Sequence, residues 1–124
     1  MLFRATIPMT PITKKNSQRI VTVKGRPMIL PSKQYKAYEQ NCASFLKGWM
    51  DEPISCAVNV RCVYYMPTRR RVDLTNLMEA THDILTRYGI LQDDHSGIVV
   101  SVDGSRVKYD KENPRTEIEI EEVE

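Results

Sequence analysis

At 124 residues and 41% hydrophobic content, the chain suits one domain, spanning 1–124, around one core. It holds no apolar run near the ~20 residues a membrane helix needs, and its alternating start, LFRATIP, carries an arginine where a secretory leader is apolar, so a cytoplasmic protein without a membrane partner is expected. The net charge of +2 conceals a basic body: residues 1–50 carry nine lysines and arginines against one acid, Glu39, while the last eight residues, EIEIEEVE, hold five glutamates. A basic body fits a polyanionic partner such as nucleic acid, or lysines scattered over an ordinary surface.

Taken in order, LFRATIP alternates like a strand, and MTPITKKNSQ reads as a loop. RIVTVKGRPMIL reads as two short extended pieces about Lys24-Gly25. Ser32 is placed to cap a helix whose apolar face is Tyr35, Tyr38, Cys42, Phe45 and Leu46, with Trp49 near its end and Pro53 beyond it. Cys56 to Tyr65 is a strand, with Cys56, Val58, Val60, Cys62 and Tyr64 on one face. After the cationic connector MPTRRRV, Leu74, Leu77, Met78, Thr81, Ile84, Leu85 and Tyr88 form a single helical stripe, which predicts a helix from Asp73 to Tyr88 with Gly89 past its end.

LQDDHSG is a turn and GIVVSV a strand. Asp103-Gly104 either turns that strand into a hairpin with SRVKY or marks a bulge within one longer strand. TEIEIEEV is a final alternating strand, whose glutamates suit the exposed face of a sheet edge. The order implies an α+β fold with a small mixed sheet and two main helices. Cys42, Cys56 and Cys62 include no CxxC pair, which argues against a disulfide framework or a zinc site and for buried thiols.

Asp73, Asp93 and Asp94 frame the second helix. Hard cations such as Mg²⁺ favour carboxylate and water oxygens, and one or two such ions can orient a phosphodiester and activate a water. The neighbouring Arg69, Arg70 and Arg71 would hold a strand by its phosphates. Equally, Asp73 is a good helix cap and Asp93-Asp94 are ordinary turn residues. A straight helix of about sixteen residues is ~24 Å long, so the chain after Gly89 must fold back, or strand pairing or a second subunit must bring the acids together. His82 lies at the edge of the apolar stripe and His95 in a polar turn.

RVDLTNLMEATHDIL followed by GILQDD resembles the core of the RusA family of Holliday-junction resolvases, prophage-type endodeoxyribonucleases. The family pattern is an arginine-rich run, D-x-D-N-x-x-K-A, D-A-L, a glycine and D-D. Arg69, Arg70, Arg71, Asp73, Asn76, Ala80, Asp83, Leu85, Gly89, Asp93 and Asp94 match it in order and spacing. The proline-containing first loop and the late Pro114-Arg115 also fit.

The resemblance implies a small α+β homodimer with two metal-dependent sites, each nicking one strand of a four-way junction. It implies Mg²⁺, with Mn²⁺ as a substitute, at Asp73, Asp93 and Asp94, with Asp73 and Asp94 catalytic. Two positions depart from it: the second aspartate is Thr75, and the lysine is Glu79. These stand at i and i+4, one turn apart on a helix face, so Glu79 is expected to take the metal-binding and catalytic part of the missing acid. Expected DNA contacts are Arg69, Arg70 and Arg71, with Lys14, Lys15 and Asn16 in the first loop, Asn76 on the helix, and Lys108 late in the strand region, beside Arg106 and Arg115. Two readings compete: an impaired relative that only binds branched DNA, and an interaction module whose acidic tail docks on a basic partner.

Overall fold

A computed structural model describes residues 1–14, 19–30 and 32–123. In chain order the elements are β1 (Phe3–Ile7), β2 (Arg19–Val23), β3 (Arg26–Leu30), α1 (Lys33–Asn41), α2 (Ala43–Leu46), β4 (Val58–Met66), α3 (Leu74–Arg87), β5 (Val99–Ser101), β6 (Arg106–Tyr109) and β7 (Arg115–Glu122). The main sheet runs β1-β7-β4-β5, with β6 also on β4. β1 and β4 flank β7 antiparallel, and β5 and β6 pair β4 in parallel. The fold is α+β with a mixed sheet, as the sequence implied.

Alternation along β4 makes the core. Val58, Val60, Cys62 and Tyr64 are all buried, and they join Phe3 and Ile7 of β1 and Ile118 and Ile120 of β7. Against them pack Tyr35, Tyr38, Cys42 and Leu46 from the first helical segment and Leu77, Ala80, Ile84 and Leu85 of α3. Burial holds the Cys62 thiol up at about 12, so it is an inert apolar group and not a nucleophile. A buried hydroxyl chain ties helix to sheet: the Tyr64 and Thr81 hydroxyls bond at 2.7 Å, and Thr81 Oγ1 donates to the Leu77 carbonyl at 3.0 Å.

Two local expectations change and one open choice closes. The first helix does not run unbroken towards Trp49. It divides at Cys42, whose carbonyl accepts from both Phe45 and Leu46, and the last turn carries Leu46 into the core. At Asp103-Gly104 the bulge reading holds and the hairpin reading does not. β7 occupies one edge of β4 from Val58 to Tyr65, so β5 and β6 follow one another along the opposite edge, interrupted by a bulge at 102–105. Asn59 holds that bulge: its Oδ1 accepts from Ser101 Oγ (2.6 Å) and the Asp103 amide (2.7 Å), and its Nδ2 donates to the Asp103 carbonyl (3.2 Å). Gly104 has φ +86°, and a Cβ there would lie 2.8 Å from the Arg61 side chain, so only glycine fits.

Thirdly, β7 is not an edge strand but the sheet's interior. Two of its glutamates are held by bases: Glu119 is in register with Arg4 on one side and Arg61 on the other, with ion pairs of 3.4 and 3.6 Å. Glu117 accepts from Arg115 at 2.9 Å. These acids are therefore occupied within the fold, which weakens the reading of the C-terminal segment as a docking tail.

The hairpin β2–β3 stands apart as a two-stranded sheet, with Lys24 and Gly25 both at positive φ in its turn. Among the described residues no helix is long and apolar enough to cross a membrane.

Candidate active site

The connector 67–73 leaves the end of β4 and delivers the chain to the N-terminus of α3. Asp73 caps that helix in extended backbone (φ −88°, ψ 115°). Its Oδ1 accepts from the Thr75 amide at 3.0 Å and from the Thr75 hydroxyl at 2.6 Å. The helix supplies no other acid in its first turn, so the Asp73 carboxylate faces the positive end of the helix dipole. Thr75 is thus bound to the carboxylate beside it, and it locks that side chain in one orientation.

Beyond Asp73 the helix is amphipathic. Leu77, Ala80, Thr81, Ile84 and Leu85 are buried, whereas Thr75 and Glu79 are exposed, and Asn76, His82 and Asp83 are half-buried. Thr75, Glu79 and His82, at steps of four and three, share one stripe. The chain then folds back. The amides of Ile90 and Leu91 donate to the Leu85 carbonyl, and Ile54 and Gln92 bond across a short bridge. That return brings the 93–95 turn alongside α3, where the Asp94 charge reaches His82.

Burial lowers the His82 pKa against the opposing pull of Asp94 and Asp83, so the ring is neutral at neutral pH. Its Nε2 is buried without a hydrogen-bond partner. His95 is a turn residue whose Nδ1 accepts from the Gly97 amide at 3.0 Å. Asp93 Oδ1 accepts from the Asp94 amide at 2.7 Å, which orders the acid pair at the turn.

Asp73, Glu79, Asp93 and Asp94 are all exposed carboxylates, the oxygen donors that hard cations favour. Among the described residues, no three of His, Cys, Asp and Glu converge closely enough to enclose a metal ion. Carboxylates are donors that Mg²⁺ accepts, and one or two of them can hold such an ion when water and substrate phosphates complete its shell.

The arginines line a continuous run of depressions. Arg71 shares one with Val72, Asp73 and Asn76. Arg70 and Arg71 line a second, of about 640 Å³, against Thr10 to Thr13 of the first loop. Arg69 and Arg70 line a third, with Lys108 and Tyr109 of β6. Elsewhere, a depression on the open sheet face brings Asp103, Glu119, Glu121 and Glu122 against Arg61, and such a surface repels a polyanion.

Lys14 is expected on DNA, but its ammonium meets Asp83 at 2.7 Å and lies 5.7 Å from the Tyr35 ring centre, which ties the first loop to α3. Lys15 and Asn16 fall outside the described residues. Lys108 lies 5.8 Å from the centre of the Tyr65 ring, on which Arg115 stacks at 3.7 Å while bound to Asp110 and Glu117. Tyr109 and Thr68, missed at sequence level, belong to the same surface; an aromatic directly after Lys108 in RVKY was the signal for the first.

The fold and site define a class: small α+β proteins with a cationic connector at the mouth of an acid-bearing helix. The family model described as Endodeoxyribonuclease RusA matches residues 8–121. A crossover junction endodeoxyribonuclease of Enterobacteria phage 82 is 37% identical over 93 residues, covering 74% of this chain and 73% of that protein. The RusA proteins of Escherichia coli K12 and Shigella sonnei are each 34% identical over the same length and shares. The chain belongs to the RusA family.

Proposed function

We propose that the protein is an endodeoxyribonuclease that resolves four-way junctions and related branched DNA by paired symmetric nicks. The observation that carries this reading is the junction of basic connector and capped acid: Arg71, Asp73 and Asn76 share a depression, and Arg70 continues it away from the helix. Membership of a family whose relatives carry the name crossover junction endodeoxyribonuclease supports it.

In this reading Arg69, Arg70 and Arg71 contact the DNA, with Arg70 and Arg71 holding the backbone by its phosphates. Thr75 fixes the orientation of Asp73, and Asn76, in the same first turn, lines the same depression. Asp73, Glu79, Asp93 and Asp94 are the carboxylates that would serve Mg²⁺, or Mn²⁺ in its place, one or two of them binding the ion within a chain. When bound, the ion supplies an activated water and neutralises the leaving oxyanion. Glu79, one turn beyond Thr75, takes the part of the acid that Thr75 does not supply. A twofold homodimer presents two equivalent sites to a junction that needs two nicks. The setting is the cytoplasm of a bacterial host.

A second reading, a protein that binds branched DNA without cutting it, is favoured by one observation. Thr75 Oγ1 engages a carboxylate oxygen of Asp73 at 2.6 Å, at a position where the family pattern has an acid. Nicking of a synthetic junction with Mg²⁺ separates the two. The parent should nick it while Asp94→Asn binds without nicking. A parent that binds and leaves every strand intact favours the second reading.

A further inference from the structure

Arg69 does not extend freely into solvent. Its guanidinium lies 4.2 Å from the centre of the Tyr109 ring, although the two residues are forty positions apart in the chain. Register explains the meeting: Tyr109 is the partner of Met66 at the end of β4, where the connector begins, and Arg69 bends back over it. Tyr109 remains 42% exposed. The pair lines a depression with Thr68, Arg70 and Lys108, and Arg70 and Arg71 link that depression to the one holding Asp73.

A contact built only for phosphate would leave the guanidinium fork pointing outward. Here the guanidinium instead lies over the face of a half-exposed aromatic ring, so cation and ring together form part of the exposed surface beside the depression. Guanidinium and aromatic planes are the surfaces on which unpaired bases stack in nucleic-acid complexes. The neighbouring Tyr65–Arg115 stack is different, because Asp110 and Glu117 already hold its guanidinium.

We propose that Arg69 stacked on Tyr109 is a platform for an unstacked nucleobase, with Lys108 and Arg70 placed for the phosphates that flank it. The proposal rests on the branched-DNA reading above and adds to it a feature that a linear duplex lacks: a base without a stacking neighbour at the strand exchange point. The platform thus favours branched or frayed DNA over a blunt duplex, independently of the acids at α3.

The test compares the full-length parent, Arg69→Lys and Tyr109→Leu. The first variant keeps the charge and loses the plane, and the second keeps an apolar strand residue and loses the ring. Binding is measured to a four-way junction, to a duplex with a single-stranded overhang, and to a blunt duplex of the same sequence, each over a range of salt. Both variants should lose about fivefold or more in affinity for the junction, the overhang or both, with blunt-duplex binding and the salt slope unchanged. A 2-aminopurine at the branch point should change fluorescence on binding the parent and respond less to either variant.

Equal losses on all three DNAs with a shallower salt slope would make Arg69 a phosphate contact and overturn the proposal. Affinities indistinguishable from the parent on every DNA also overturn it. If the parent itself neither prefers nor nicks the junction, the branched-DNA reading fails; if the parent nicks and the variants match it, only the platform fails.

Discussion

Asp73 carries two roles that a pair of substitutions pulls apart. Asp73→Ala removes the acceptor of the Thr75 amide and hydroxyl bonds at 3.0 and 2.6 Å. Loss of an N-cap costs about 1 kcal/mol, within a range of roughly 0.5–2. The first turn of α3 holds no other acid to face the helix dipole, which adds about 0.3–1 kcal/mol. Both freed groups are exposed and rehydrate, so the total should stay near 1–2 kcal/mol. For a chain of this size that lowers Tm by about 4–8 °C. Asp73→Asn keeps a cap of equal rank and loses only the dipole contribution, so it should stay within about 1 kcal/mol of the parent and unfold later than Asp73→Ala. It nevertheless removes the charge a divalent cation needs, so junction nicking should disappear while the fold stays intact. Thermal unfolding by circular dichroism, run beside a nicking assay at 25 °C, reads both effects. If Asp73→Asn unfolds as early as Asp73→Ala, the capping argument is wrong. A stable Asp73→Asn that nicks at the parental rate removes Asp73 from the site.

Three further outcomes follow from the geometry. Thr81→Val strands the buried Tyr64 hydroxyl and should cost about 1–3 kcal/mol, whereas Tyr64→Phe combined with Thr81→Val should cost less than the two single changes added together; urea unfolding of all four proteins measures the coupling. Arg70→Ala should weaken junction binding and shrink the slope of log K against log salt by about one, and an unchanged slope removes Arg70 from the phosphate contacts. Glu79→Gln should abolish or sharply reduce nicking in both Mg²⁺ and Mn²⁺ while leaving binding in place, and parental activity would rule out the part assigned to Glu79.

The helix that bears the acids was legible because its signals are local. A capping aspartate, a seven-residue apolar stripe and a terminal glycine all lie within 73–89, and α3 follows them almost residue for residue. β4 was legible for the same reason, since strict alternation on a half-buried strand has few other readings. The central place of β7 was not. An amphipathic strand with glutamates on its outer face looks alike at an edge and in the middle until its partners, Arg4 and Arg61, are known, and both lie more than fifty residues away. Asp103-Gly104 left hairpin and bulge both open for a similar reason, because a local turn signal says nothing about the parallel pairing that places β5 and β6 on one edge. In the site, the residue types were readable, but the contacts that give them shape were not. Thr75 bonded to Asp73 is a short-range consequence of the cap. By contrast, the return of Asp94 towards His82, the Lys14–Asp83 pair and the Arg69–Tyr109 stack all depend on the packed core.

The most direct measurement maps the nicks made in a four-way junction with each strand end-labelled in turn, in Mg²⁺, beside a linear duplex of the same sequence. Cuts at symmetric positions in two opposed strands, with the duplex left whole, are the expected result. Tight junction binding with no strand cut, or cutting of junction and duplex alike, would contradict a junction resolvase.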